Sequence, residues 1–155
     1  MSAVPLFKAD AIVEAALAEG RAHNFMPLTV AVLDPGGHLV ALKREDGSGT
    51  LRPDIAIGKA SAALGMGVPT RLLRDRLADR PAFQSALAAA SGGRFVAVPG
   101  GILLKDPDTG ALVGAVGISG DTSDKDELCA IKGAHAAGFK TEPADPPSDW
   151  NASKL

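Results

Sequence analysis

The sequence of 155 residues holds one cysteine, Cys129, so no internal disulfide can form and no Cys-x-x-Cys metal pattern exists. Tyrosine is absent, and five phenylalanines with one tryptophan leave little aromatic surface on which nucleic-acid bases could stack. Excess positive charge is missing too: the formal net charge is −2, without the clustered basic footprint that nucleic acid requires. No stretch approaches the roughly 20 consecutive apolar residues of a membrane span. The opening "MSAVPLFKADAIVEAALAEG" carries acids and a proline where a secretory leader needs a basic start and an apolar run. These absences argue against nucleic acid and membrane as partners, and the expectation is a cytoplasmic protein.

What is present describes an ordinary globular chain, 46% hydrophobic and 22% charged, of a length that suits one domain. Phe7, Ala11, Ile12, Ala15, Ala16 and Leu17 fit a helical stripe between Phe7 and Ala22. "LTVAVLDPGGHLVALKRE" reads as two strands joined by the turn Asp34-Pro35-Gly36-Gly37. "RPDIAIGKASAALGMGVP" predicts a helix that starts near Pro53 and ends at Gly67-Val68-Pro69. Two more helical pieces follow, the first with Thr70 as N-cap and the second closed by Gly92-Gly93. "FVAVPGGILLKDPDTGALVGAVGIS" returns to strands, with a hairpin turn at Asp106–Gly110. A last helix is expected over roughly 123–138, with Ser123 as N-cap and Asp126 as its capping-box partner. The order implies an α+β domain whose antiparallel sheet of about five strands is flanked by helices. That domain is expected over residues 1–140, followed by a polar, proline-containing tail at 141–155. Trp150 stands out in the tail as a side chain that would dock onto its own domain or onto a neighbouring subunit.

Several residues carry two readings each. Ile55, Lys59, Ala62 and Met66 share one helical stripe. Lys59 is therefore a snorkelling side chain at the core edge, or an ammonium held in a pocket for an anion or for proton chemistry. Gly58, Ser61 and Gly65 line another face, where small residues admit a neighbouring backbone. Arg44, Asp46 and Arg52 lie on a glycine-rich loop that is either solvated or, converging with Lys59, a clamp for a carboxylate or phosphate. Gly100 and Gly101 mark a bend in the sheet, or bare backbone beside a ligand. "GAVGISGDTSDKDE" passes from apolar strand to polar helix start, so Ser119, Gly120 and Asp126 cap a helix or also rim a site. His135 shares a stripe with Leu128 and Ile131 and is expected to be packed. His23 is expected at the C-terminal end of the first helix, and His38 in solvent.

Together, "LTVAVLDPGGHLVALKREDG", "IAIGKASAALGMGVPT", "PGG" and "GAVGISGDTSDKDELCAIKGAHA" resemble, in order, the GlcG/HbpS-like family, from about residue 10 to 138. The resemblance implies a compact profilin- or PAS-like sheet with flanking helices, a homo-oligomer, and a small-molecule ligand. Members of that family include haem-binding proteins, which leaves the cofactor open with haem as one candidate, and Arg44, Asp46, Lys59, Gly100, Gly101, Ser119, Gly120 and Asp126 fall in the family's recurrent segments. At 44–46 the chain reads Arg-Glu-Asp, where the family commonly has an apolar residue between the charged ones. A haem protein offers His, Cys, Met or Tyr as axial ligand, and no pocket role is evident in the sequence for His38, His135 or Cys129. Three functions therefore stay open. One is a binding protein for haem or another carboxylate-bearing ligand. Another is a catabolic enzyme with Lys59 or Asp126 as acid/base and Arg44 or Arg52 holding a carboxylate. The third is a structural oligomer.

Overall fold

The computed structural model describes residues 3–155. Residues 1 and 2, the first of the expected domain, lie outside the described residues. Helix α1 spans Leu6–Ala22, followed by β1 (Thr29–Leu33) and β2 (Leu39–Arg44). Between these strands the Asp34 carboxylate accepts the backbone N–H groups of Gly36 and His38, and Gly37 takes a positive φ of 84°. Helix α2 (Arg52–Met66) carries Pro53 in its first turn and ends on Gly67 in the left-handed region at φ 71°. Then come α3 (Thr70–Leu77), α4 (Pro81–Ala90), β3 (Gly101–Lys105), β4 (Leu112–Ser119), α5 (Ser123–Ala136) and β5 (Lys140–Glu142).

All pairings are antiparallel, in the order β2-β1-β4-β3-β5. Alternation along the strands builds two cores. Val30, Val32, Ile102, Leu104, Val116 and Ile118 face α1 and α5, meeting Ile12, Val13, Leu128 and Ile131. On the opposite face Leu33, Leu103 and Ala115 meet Ala60 and Ala63 of α2. This second layer is thin because α2 lies directly on β4: a Cβ added at Gly117 would stand 1.9 Å from the Ala56 carbonyl oxygen. Gly120 is small for a similar reason, with the Pro27 carbonyl oxygen 2.3 Å from the position of an added Cβ.

Five local expectations are corrected. Segment 95–98, read as a strand, hangs instead from α2 through a Val96 N–H to Gly58 carbonyl bond of 3.2 Å, and β5 supplies the fifth strand. Sheet pairing thus runs past residue 140 into the expected tail. Thr70 does not cap α3; its hydroxyl faces the Gly101 backbone, accepting the N–H at 2.9 Å. The N-cap of α5 is Thr122, whose Oγ1 accepts from Lys125 N–H, while Asp126 reaches back past it to the Asp121 N–H and inward to Lys59. His135 is exposed in the last turn of α5, and its Nε2 meets Thr141 Oγ1 at 3.1 Å. Trp150 packs edge-on against His23 and Phe25 of its own chain, at ring-centroid distances of 5.1 and 5.7 Å.

Candidate functional site

Lys59 lies on the sheet-facing side of α2, and its side chain is 2% exposed, which replaces the snorkelling picture. Its Nζ donates to the Ile118 carbonyl at 2.8 Å and to Asp126 Oδ2 at 3.1 Å. Asp126 is equally buried, and its Oδ1 accepts the Asp121 N–H at 3.0 Å. Burial pulls the Lys59 ammonium below its usual range against the attraction of Asp126, and burial pushes the Asp126 carboxyl up against Lys59. Both groups are thereby moved toward their neutral forms.

Arg52 opens α2 beside this pair, half-buried, and donates from Nη1 to Ser119 Oγ at 3.0 Å. Gly100, at φ +121°, leaves room for the ammonium: an added Cβ would stand 2.8 Å from Lys59 Nζ. At Gly101 the added atom would stand 2.4 Å from the Lys59 carbonyl oxygen, and this residue's N–H already bonds Thr70. The fold therefore brings Arg52, Lys59, Ser119 and Asp126 together and sets Gly100 and Gly101 against them. The acids that follow are compensated. Arg71 pairs with Asp124 and Glu127, and Lys125 lies 3.4 Å from Asp121.

Arg44 and Asp46 go elsewhere. They line a cleft of about 580 Å³ with Leu17, Arg21, Pro27, Lys43 and Glu45. Its charges are largely matched, Arg21 with Glu45 at 3.0 Å and Lys43 with Asp10 at 3.3 Å, while Arg44 donates to the Ser48 carbonyl.

A groove that the sequence reading did not assemble lies between the β1–β2 turn, α2 and α4. It measures about 440 Å³, within the range of small-molecule sites, and Leu64, Met66, Leu87, Ala90 and Phe95 form its apolar walls. Arg94 and His38 also line it, and no acidic residue does. Among the described residues Arg94 forms no ion pair. His38 Nδ1 sits 3.3 Å from Asp34 Oδ1, so Nε2 is the ring nitrogen without a protein partner. The stripe Gly58, Ser61, Gly65 was the available signal. Gly58 packs under Val96, whereas Ser61 and Gly65 line the groove, and a Cβ added at Gly65 would meet nothing within 4 Å.

Among the described residues no helix is long and apolar enough to cross a membrane, and no cluster of three or more His, Cys, Asp or Glu could hold a metal ion. Among curated proteins none matches the chain. Solved structures do. The PduOC:haem complex is 24% identical over 88% of this chain and 96% of that one, with a TM-score of 0.78. The Klebsiella pneumoniae protein ORFY has the same identity and TM-score, over 88% of this chain and 92% of that one. A double mutant of Streptomyces reticuli HbpS is 28% identical over 89% of each chain, with a TM-score of 0.76. The family described as haem-degrading protein HbpS-like matches residues 4–135. By that match over most of its length, carried on the five-stranded sheet with α1 and α5 on one face and α2 on the other, the chain belongs to the HbpS-like family.

Proposed function

We propose that this protein binds an apolar-bodied, carboxylate-bearing ligand of the tetrapyrrole kind in the groove between α2, α4 and the β1–β2 turn. One observation carries the reading: apolar walls and an unpaired guanidinium, Arg94, share a groove without acids. Such a site suits a ligand with a large apolar surface and a carboxylate at its rim. Haem fits the donor set. His38 Nε2 and the Met66 thioether line the groove, and the Asp34 carboxylate at Nδ1 orients the imidazole. Haem would supply redox chemistry at its iron. Cys129 is not a candidate ligand, because burial pushes its thiol up and α1 and α5 enclose it.

Haemin titration followed in the Soret region tests the reading, with Gly65→Leu and Arg94→Ala alongside. Gly65→Leu directs an apolar side chain into the groove from a position where nothing stands within 4 Å of the Cβ. Saturable binding of one haemin per chain is expected, abolished by Gly65→Leu and weakened about tenfold by Arg94→Ala. Undiminished binding to folded Gly65→Leu would overturn the proposal. We retain a cytoplasmic homo-oligomer as part of the reading. Its support is α4, uncharged along PAFQSALAAA and without one buried residue, and gel filtration tests it.

A second reading, an enzyme of small-molecule catabolism, is favoured by the Lys59–Asp126 pair. Two buried groups displaced toward neutrality have the poise that acid/base chemistry needs, and Arg52 beside them has donors left for an organic acid. Absence of turnover in a screen of small carboxylic acids would sink it, and turnover that survives Asp126→Asn would take the Lys59–Asp126 pair out of the chemistry.

A further inference from the structure

Ser61 Oγ is, among the described residues, the buried side-chain polar atom without a hydrogen-bond partner. A serine inside a helix ordinarily bonds back to the carbonyl one turn earlier or faces water, and this one does neither. A buried hydroxyl left unpaired costs free energy, so an orphan of this kind marks a place where something else supplies the partner. Ser61 lines the groove while its Oγ is shielded, and one χ1 step between staggered wells re-aims the hydroxyl. Gly65, one turn on, leaves the adjoining wall bare.

We infer that Ser61 is a specificity-determining residue of the groove, selecting tetrapyrroles that carry a polar atom on the edge of the ring system, as ring-opened ones do. The inference rests on the groove reading above. An iron porphyrin has its four nitrogens committed to the metal, and its outward polar atoms are confined to the propionates. Against such an edge the Ser61 hydroxyl stays unpaired. A ring-opened tetrapyrrole presents terminal lactam carbonyls and N–H groups, and a hydroxyl can both donate and accept. Arg94 holds a carboxylate in either case, so it sets affinity without discriminating. Ser61 discriminates because a hydrogen bond made by one ligand and missed by another separates their affinities more sharply than apolar contact does.

Haemin and biliverdin are titrated against the wild-type chain, Ser61→Ala and Gly65→Leu, read by ligand absorbance and Trp150 fluorescence. Ser61→Ala is expected to weaken biliverdin about tenfold and to leave haemin within about twofold. Its melting temperature is expected not to fall, because the substitution removes an unpaired group. Equal shifts for the two ligands, or no shift for either, would overturn the role of Ser61. If Gly65→Leu abolishes binding of both while Ser61→Ala changes neither, the groove stands and the Ser61 inference alone fails. If both ligands bind Gly65→Leu undiminished, the groove reading falls and takes this inference with it.

Discussion

Replacing Lys59 by methionine, which keeps the unbranched stem and removes the charge, tests the account of the buried pair. The substitution strips Asp126 Oδ2 of its side-chain partner and leaves only the Asp121 N–H on Oδ1. It also removes the ammonium from the Ile118 carbonyl. Asp126 is 1% exposed, so water cannot replace what is lost. A buried carboxylate without its cation costs about 3–5 kcal/mol. For a chain of this size that lowers the melting temperature by roughly 6–20 °C. The pH dependence has a definite sign. Burial already holds the Asp126 carboxyl above its ordinary value of 3.8, and loss of Lys59 raises it further. A raised folded-state value favours the folded protein in the protonated form. That contribution is complete below pH 3.8 and disappears as pH rises through the folded value. Lys59→Met is therefore least damaging in acid and most damaging at pH 8. Urea unfolding at pH 5 and pH 8, followed by Trp150 fluorescence, measures this. Lys59→Met/Asp126→Leu removes both charges and should return to within about 2 kcal/mol of wild type, giving a coupling of several kcal/mol. A loss below about 1 kcal/mol for Lys59→Met that does not grow with pH, or additive single effects, would refute the argument.

Gly65→Ala should stabilise the chain by about 0.5–1 kcal/mol in urea melts, since the position is helical and its new methyl meets nothing within 4 Å. Gly117→Ala should fail to give a soluble folded protein, because its Cβ would stand 1.9 Å from the Ala56 carbonyl oxygen and α2 would have to lift from the sheet. At Asp121 burial pushes the carboxyl up, but the N–H groups of Met26 and Thr122 and the Lys125 ammonium outweigh it, so the net shift is below 3.8. Its stabilisation is therefore present above pH 3.8 and lost as pH falls through the folded value, and Asp121→Asn should differ most from wild type at neutral pH and least in strong acid.

The hairpin turns, the helices and the antiparallel order were legible because each is written locally, in Pro-Gly turns and in periodic apolar positions. The segment 95–98 misled for a related reason: Phe-Val-Ala-Val has strand-like residues, but its partner is the backbone of α2, which no local pattern records. Of the candidate site, Lys59, Arg52, Ser119 and Asp126 were visible as isolated oddities, and their meeting depends on β4 and α5 folding back beside α2. Gly120 was read as part of a possible site rim, whereas backbone fills the space beside it, as it does beside Gly117. The groove was harder to see. Its lining comes from the β1–β2 turn, the end of α2, the end of α4 and residues 94 and 95, each unremarkable alone. His135 fitted the packed stripe of α5 by spacing, yet it lies in the last turn and is exposed.

The middle of the sheet is a pairing of β1 with β4, in which Thr29 faces Ser119 and Leu33 faces Ala115. Only the outer hairpin β1–β2 can close while the chain is short. During synthesis that hairpin and α1 must wait, apolar face uncovered, until β4 and then α5 have left the ribosome. By then nearly the whole domain has been made, and the closing step joins segments far apart in sequence. The nascent chain thus has little to gain from folding piecemeal. A truncation that stops before α5 should leave a species held by chaperones rather than a smaller stable domain.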